Sequence, residues 1–271
     1  MQSIRIDHAL DMHDYQPARV AAAISIAARA RAGCNDDATH SIAHPLAVSV
    51  LVIEHGGDEG QVLASLLHDA IDIGSERYAD VIGIELGPNI RQMVEILSEC
   101  TAEVAPCFIP EVPRAACLLG AWIDGQRNYV ERMQQSPSRV AIVAACVQRH
   151  RLRSLMADLK RYGLVIVERL MGGRSGTLWQ HNLLAVALHE RVHTQDPVLA
   201  KELLAEVTRL RILIDRKMPE AERPERKSAE TTLEMMRALM AYGALAANAI
   251  PSDEPALTLD TLMPKPPGRD N

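Results

Sequence analysis

Aromatic side chains are scarce: one Phe, two Trp and five Tyr make up 3% of the 271 residues. Ala, Leu, Val and Met supply the apolar share instead, which disfavours a β-sandwich and predicts an all-α fold built as a helical bundle. The five cysteines (Cys34, Cys100, Cys107, Cys117 and Cys146) form no C-x-x-C pair and are odd in number. That excludes a disulfide scaffold, and a reducing compartment is the expectation. No run approaches the ~18 apolar residues of a membrane helix, and the opening MQSIRIDHALDMHDY is too charged for a secretory signal. A cytoplasmic protein with no membrane partner follows as the expectation. Positive charge is short too. The 29 Lys and Arg stand against 35 Asp and Glu, leaving −6, the wrong sign for a general nucleic-acid binder. The glycines of GGRSGT at 172–177 are not followed by Lys-Ser/Thr, so they do not make a phosphate loop.

What the chain does have is 48% hydrophobic residues, enough to bury a large core. The pattern divides it into a polar lead-in over 1–16, a helical domain over 17–195, a C-terminal helical extension over 196–248 and a disordered tail over 249–271. Pro17 to Ala32 predicts a first helix, Arg114 to about Gln135 another, and Ser138 onward a third with Val140, Val143, Ala144 and Val147 buried. Residues 164–195 predict two helices split by GGRSGT, and Pro197 to about Lys217 an amphipathic one. A further helix over 228–248 would dock on the domain or join two copies of the chain into a homo-oligomer.

The most informative stretch is THSIAHPLAVSVLVIEHGGDEGQVLASLLHDAID, residues 39–72. Pro45 suits a first helical turn, and Leu46, Val48, Val50, Leu51 and Ile53 are apolar almost all round, predicting a buried helix. Gly56-Gly57 supplies a stop, and Asp58 with Gln61 reads as a capping box opening a second helix. The two arms, each about 17 Å long at about 1.5 Å per residue, are matched. Packed antiparallel, they bring His44 level with His68-Asp69. Two imidazoles and a carboxylate suit a first-row divalent metal, with Mn the first choice and Fe or Zn the others. The alternative is two hydrogen-bonded histidines capping helix ends, with Asp69 paired to a surface base.

HPLAV…LLHDAID, Glu99-Cys100-Thr101, Trp122 to Tyr129, ADLKRYG at 157–163 and GGRSGTLW at 172–179 together resemble the HD superfamily of metal-dependent phosphohydrolases. The branch they resemble most is the (p)ppGpp hydrolase domain of bifunctional alarmone synthetase/hydrolases, over about residues 20 to 195. The resemblance implies an HD-like bundle with His44, His68 and Asp69 as metal ligands. It also implies a water-positioning carboxylate at Asp72 and a small phosphorylated or nucleotide substrate. Asp72 reads equally as an exposed residue at a helix end. Arg127 and Tyr129 stand near the family's phosphate-contacting pair, and Arg149 and Arg151 belong to a basic series with Arg153, Lys160 and Arg161. That series reads as a phosphate clamp or as a solvated helix face.

Several positions depart from the family pattern. Asn35-Asp36-Asp37 stands where a basic pair is usual, Ile73 where a second carboxylate is, and Gly125-Gln126 where Arg-Lys is. Val147 takes the place of the fourth ligand, an aspartate. His150 matches a family histidine and, one turn past Val147, is a secondary candidate ligand. These departures favour the alternative function: a non-catalytic HD-fold ligand-binding or regulatory protein, with no metal if the site is degenerate. His189-Glu190-Arg191-Val192-His193 fits H-E-x-x-H in form, but no third ligand follows, so it reads as an exposed helix end.

Overall fold

The structure is a computed structural model and describes residues 15–32, 41–99 and 114–218. The chain divides into two compact units. The first comprises residues 1–100 and 129–217, the second residues 101–128 and 218–271. Among the described residues every regular element is a helix, as the composition predicts.

In the first unit α1 (Pro17–Arg31) starts with proline in its first turn. It packs on α3 (Glu59–Leu67), on the short α4 (Ala70–Gly74) and on α5 (Arg77–Leu86). α2 (Ala43–Glu54) and α3 form the expected hairpin. Gly56 adopts φ +69, and a Cβ on Gly57 would lie 2.3 Å from Val52 Cγ1 and 2.8 Å from Val52 O. Only glycines let the chain reverse this tightly. The capping box is formed: Asp58 Oδ1 accepts from Gln61 N (3.1 Å), and Asp58 N donates to Gln61 Oε1 (3.0 Å). The break at Gly87 separates α5 from α6 (Pro88–Leu97).

α8 (Ser138–Tyr162) is the spine of this unit, contacting α2, α3 and α6 and also α9 (Val165–Glu168), α10 (Gly173–Val192) and α11 (Pro197–Lys217). Val140, Val143, Ala144 and Val147 face its core. α11 packs along α8 and α10 through Leu199, Leu203, Val207, Leu210 and Ile214, all buried. α7 (Arg114–Gln135) belongs to the first unit from Tyr129 on. Its residues 114–128 belong to the second unit and are helical there.

Three expectations are corrected. α2 is not buried all round. Val48, Leu51 and Val52 are covered, but Val50 is 52% exposed and Leu46 is also exposed, because α3 and α8 cover only one side. GGRSGT does not lie between two full helices either. The helix before it is the single turn α9, and α10 begins inside the motif at Gly173, after Gly172 at φ +78. Nor is the α8 basic series a solvated face throughout: Arg149 is buried and pairs with Glu202 at 2.5 Å, half-buried Arg151 pairs with Glu99, and exposed Arg153 pairs with Glu206 at 3.1 Å, while Lys160 and Arg161 are exposed as the solvated reading expects. The loop Asn35-Asp36-Asp37, the segment from Pro106 to Pro113, and the helix and tail expected after residue 218 lie outside the described residues.

Candidate metal centre

His44 is the second residue of α2; His68 and Asp69 join the end of α3 to the start of α4. The hairpin brings them level. His44 Nε2 lies 3.1 Å from His68 Nε2, with the rings edge to face. His68 Nε2 lies 3.8 Å from Asp69 Oδ2. One ligand atom from each of the three residues falls within 4.8 Å of the other two, and His68 and Asp69 are buried. Two imidazole nitrogens on one tetrahedral or octahedral Zn-like ion, each at about 2.0–2.1 Å, stand about 2.9–3.4 Å apart. The observed separation fits that set.

The electrostatics fit as well. Burial, with the nearby positive groups adding to it, pushes His44 down to about 3 and also lowers His68 and His150. All three imidazoles are therefore neutral at pH 7, the form that ligates. His68 Nδ1 donates to Ser65 O at 2.8 Å, the backbone support that leaves Nε2 its lone pair. Burial works against the Asp69 charge, but the His68 ring and the Arg31 guanidinium outweigh it and hold the carboxyl below the ordinary aspartate range. Of those two, Arg31 is the one charged at neutral pH.

Arg31 itself is a residue the sequence did not single out. From the last turn of α1 its Nη2 lies 2.6 Å from both Asp69 oxygens, and both side chains are buried. Asp69 is thus paired to a base, but to a buried one beside two imidazoles and not to the surface base of the alternative reading. His150 also reaches the cluster, by an unforeseen route. Its Nδ1 lies 2.8 Å from Nδ1 of His44, the ring nitrogen not directed at His68. Val147, one turn earlier on α8, is a buried apolar side chain and offers no ligand.

Around this core lies a polar web. Asp72, exposed on α4, accepts from the Ser98 hydroxyl and from Glu99 N at 2.9 Å. Partial burial of its carboxyl raises its pKa, and the Ser98 and Glu99 bonds oppose the rise. Arg151 pairs with Glu99 and is close enough to Asp69 and His44 for their charges to act on one another. Arg132 donates to Ser98 O and lies over the Tyr129 ring, whose buried hydroxyl is driven well above the usual tyrosine range by desolvation.

The other candidates are placed elsewhere. Arg149 Nη1 bonds His55 Nε2 at 2.9 Å as well as Glu202, and His55 Nδ1 bonds Asp196 Oδ2 at 2.6 Å. Its charge thus serves the packing of α11. Arg127, in the second unit, faces Asp124 of its own helix at 3.9 Å. His189 and His193 stack at 5.7 Å, but His193 is exposed and directs Nδ1 at its own helix carbonyls. Among the described residues they belong to no three-residue ligand group.

A family model described as an HD domain matches residues 21–178, more than half of the chain and the whole of the His-His-Asp cluster. The chain belongs to the HD domain family, a family of metal-dependent phosphohydrolases. No curated protein matches the sequence. No described helix is long and apolar enough to cross a membrane.

Proposed function

We propose that the chain is a metal-dependent phosphohydrolase acting on a small phosphorylated molecule of the nucleotide or (p)ppGpp type. One observation carries the reading: donor atoms of His44, His68 and Asp69 gather within 4.8 Å in a family whose members bind divalent metals. Those three residues would hold the ion, with Mn the first choice and Fe or Zn the others. A bound divalent ion supplies a water of lowered pKa and a Lewis acid for a phosphoryl oxygen.

The chain's own groups do the rest. Asp72, its pKa raised and its two oxygens aimed by Ser98 and Glu99, orients the attacking water and takes its proton. Arg151 presents positive charge beside the cluster and binds the substrate phosphate. In this reading Tyr129 and Arg132 brace the Ser98-Glu99 segment.

A second reading is favoured by a specific contact. Arg31 already bonds both oxygens of Asp69, and Val147 adds no ligand, so the same pocket suits an HD-fold protein that binds a phosphorylated ligand without turnover. Metal analysis of the purified protein, followed by a phosphate-release screen over nucleotides with added Mn, separates the two. Bound metal and steady release that His68→Ala abolishes support the hydrolase. Nucleotide binding with neither metal nor release replaces it with the second reading.

A further inference from the structure

His150 is the imidazole of the cluster that the proposed ligation leaves without a role. The polarity of the row is fixed at its far end. Ser65 O only accepts, so His68 carries its proton on Nδ1 and, being neutral, has a lone pair on Nε2. His44 Nε2, 3.1 Å away, is then the donor, which makes His44 Nδ1 an acceptor. His150 Nδ1, at 2.8 Å, donates to it and keeps its own lone pair on Nε2. One backbone carbonyl thereby sets three tautomers.

An ion held between His44 and His68 requires a lone pair on both Nε2 atoms. His44 meets that requirement only with its hydrogen on Nδ1, where it points at His150 Nδ1. His150 must then accept, with its own hydrogen on Nε2.

We propose that His150 is a positioning residue whose tautomer is coupled to metal loading: it donates to His44 in the free protein and accepts from His44 in the loaded one. The proposal rests on the metallohydrolase reading and deepens it. The protons balance. His44 Nε2 releases one to solvent, His44 Nδ1 receives one from His150 Nδ1, and His150 Nε2 takes one from solvent. No ring changes charge, and Nε2 of the half-buried His150 turns from acceptor to donor.

Zinc titration of the full chain labelled with 15N-histidine reads this directly, because long-range proton–nitrogen couplings distinguish the tautomers. The free protein is expected to show His44 as Nε2–H and His150 as Nδ1–H. Zinc inverts both, while His68 stays Nδ1–H. His150→Asn, whose amide oxygen accepts from His44 Nδ1–H, keeps zinc affinity within about threefold, and His150→Ala loses roughly 10–100-fold. Zinc bound equally well by the Ala variant, or a His150 tautomer unchanged on loading, overturns the coupling and leaves the metal reading standing. Failure of the wild type to bind zinc overturns both, and the wild-type spectra decide the matter even if the Ala variant does not fold.

Discussion

Arg31 and Asp69 form the interaction on which the centre most depends. A guanidinium with 6% and a carboxylate with 13% of the side chain exposed have both lost most of their hydration, so each is tolerable only because of the other. Arg31→Met removes the counter-charge and leaves Asp69 among neutral imidazoles. The expected result in the presence of chelator is a stability loss of about 3–5 kcal/mol, measured by urea denaturation. Added Mn should restore much of it, because the ion takes over the role of the cation and no longer competes with one. A variant as stable as wild type, with unaltered metal response, would show that the pair contributes nothing to the site. Neither Arg31 nor the role of His150 was legible in the sequence. Arg31 meets Asp69 across 38 positions and His150 meets His44 across 106, so no local spacing encodes either contact. His44, His68 and Asp69 were legible because one hairpin of matched arms brings them together.

The hairpin itself could be read almost to the residue, since each of its signals is local: proline in the first turn, paired glycines, an Asp-x-x-Gln box. Burial of α2 was less legible, because an apolar sequence does not state how many neighbours will cover it. Val50 shows the consequence. The burial of Arg149 and Arg151 was not legible for the same reason, their partners lying on α11 and after α6. Two substitutions at the turn should behave differently. Asp58→Ala removes the cap and costs about 1 kcal/mol, with metal affinity unchanged because the arms keep their register. Gly57→Ala sets a Cβ 2.8 Å from a backbone carbonyl that cannot rotate away. It should cost about 1–3 kcal/mol and weaken metal binding as well, by splaying His44 from His68. Thermal melts paired with zinc titrations measure both effects. At the other end, Asp196 both caps α11 at Leu199 N (2.8 Å) and bonds His55. Asp196→Ala is expected to cost about 2 kcal/mol and to loosen α11, read as faster amide exchange in that helix.

Over the first unit as a whole, these local charges set how stability depends on pH. His44, held at about 3, and His181, held at about 4, are kept neutral chiefly by burial, and His68 and His150 are shifted the same way. In the unfolded chain each titrates near about 6.5, so as the pH falls below that value the unfolded state takes up protons that the folded state refuses. Their contribution is complete above about 6.5 and declines toward the folded values, at a slope approaching about 1.4 kcal/mol per pH unit for each histidine. Asp69 behaves in the same sense but in a lower window. Its depressed pKa stabilises the fold above the unfolded aspartate value of about 3.9, and that contribution is lost as the pH drops through the folded one. Urea midpoints of chelator-treated protein should therefore fall steeply between about pH 6.5 and 4. His181→Gln, which removes one buried imidazole away from the ligands, should flatten that segment alone. Arg31→Met removes the charge that holds Asp69 down and one of those that lower His68, so it should lower the midpoint at every pH and move the Asp69 part of the fall upward, out of the window below about pH 4. A midpoint independent of pH between 7 and 5 would mean that the imidazoles are not held neutral by the fold, and the lone pairs required for metal binding would go with them.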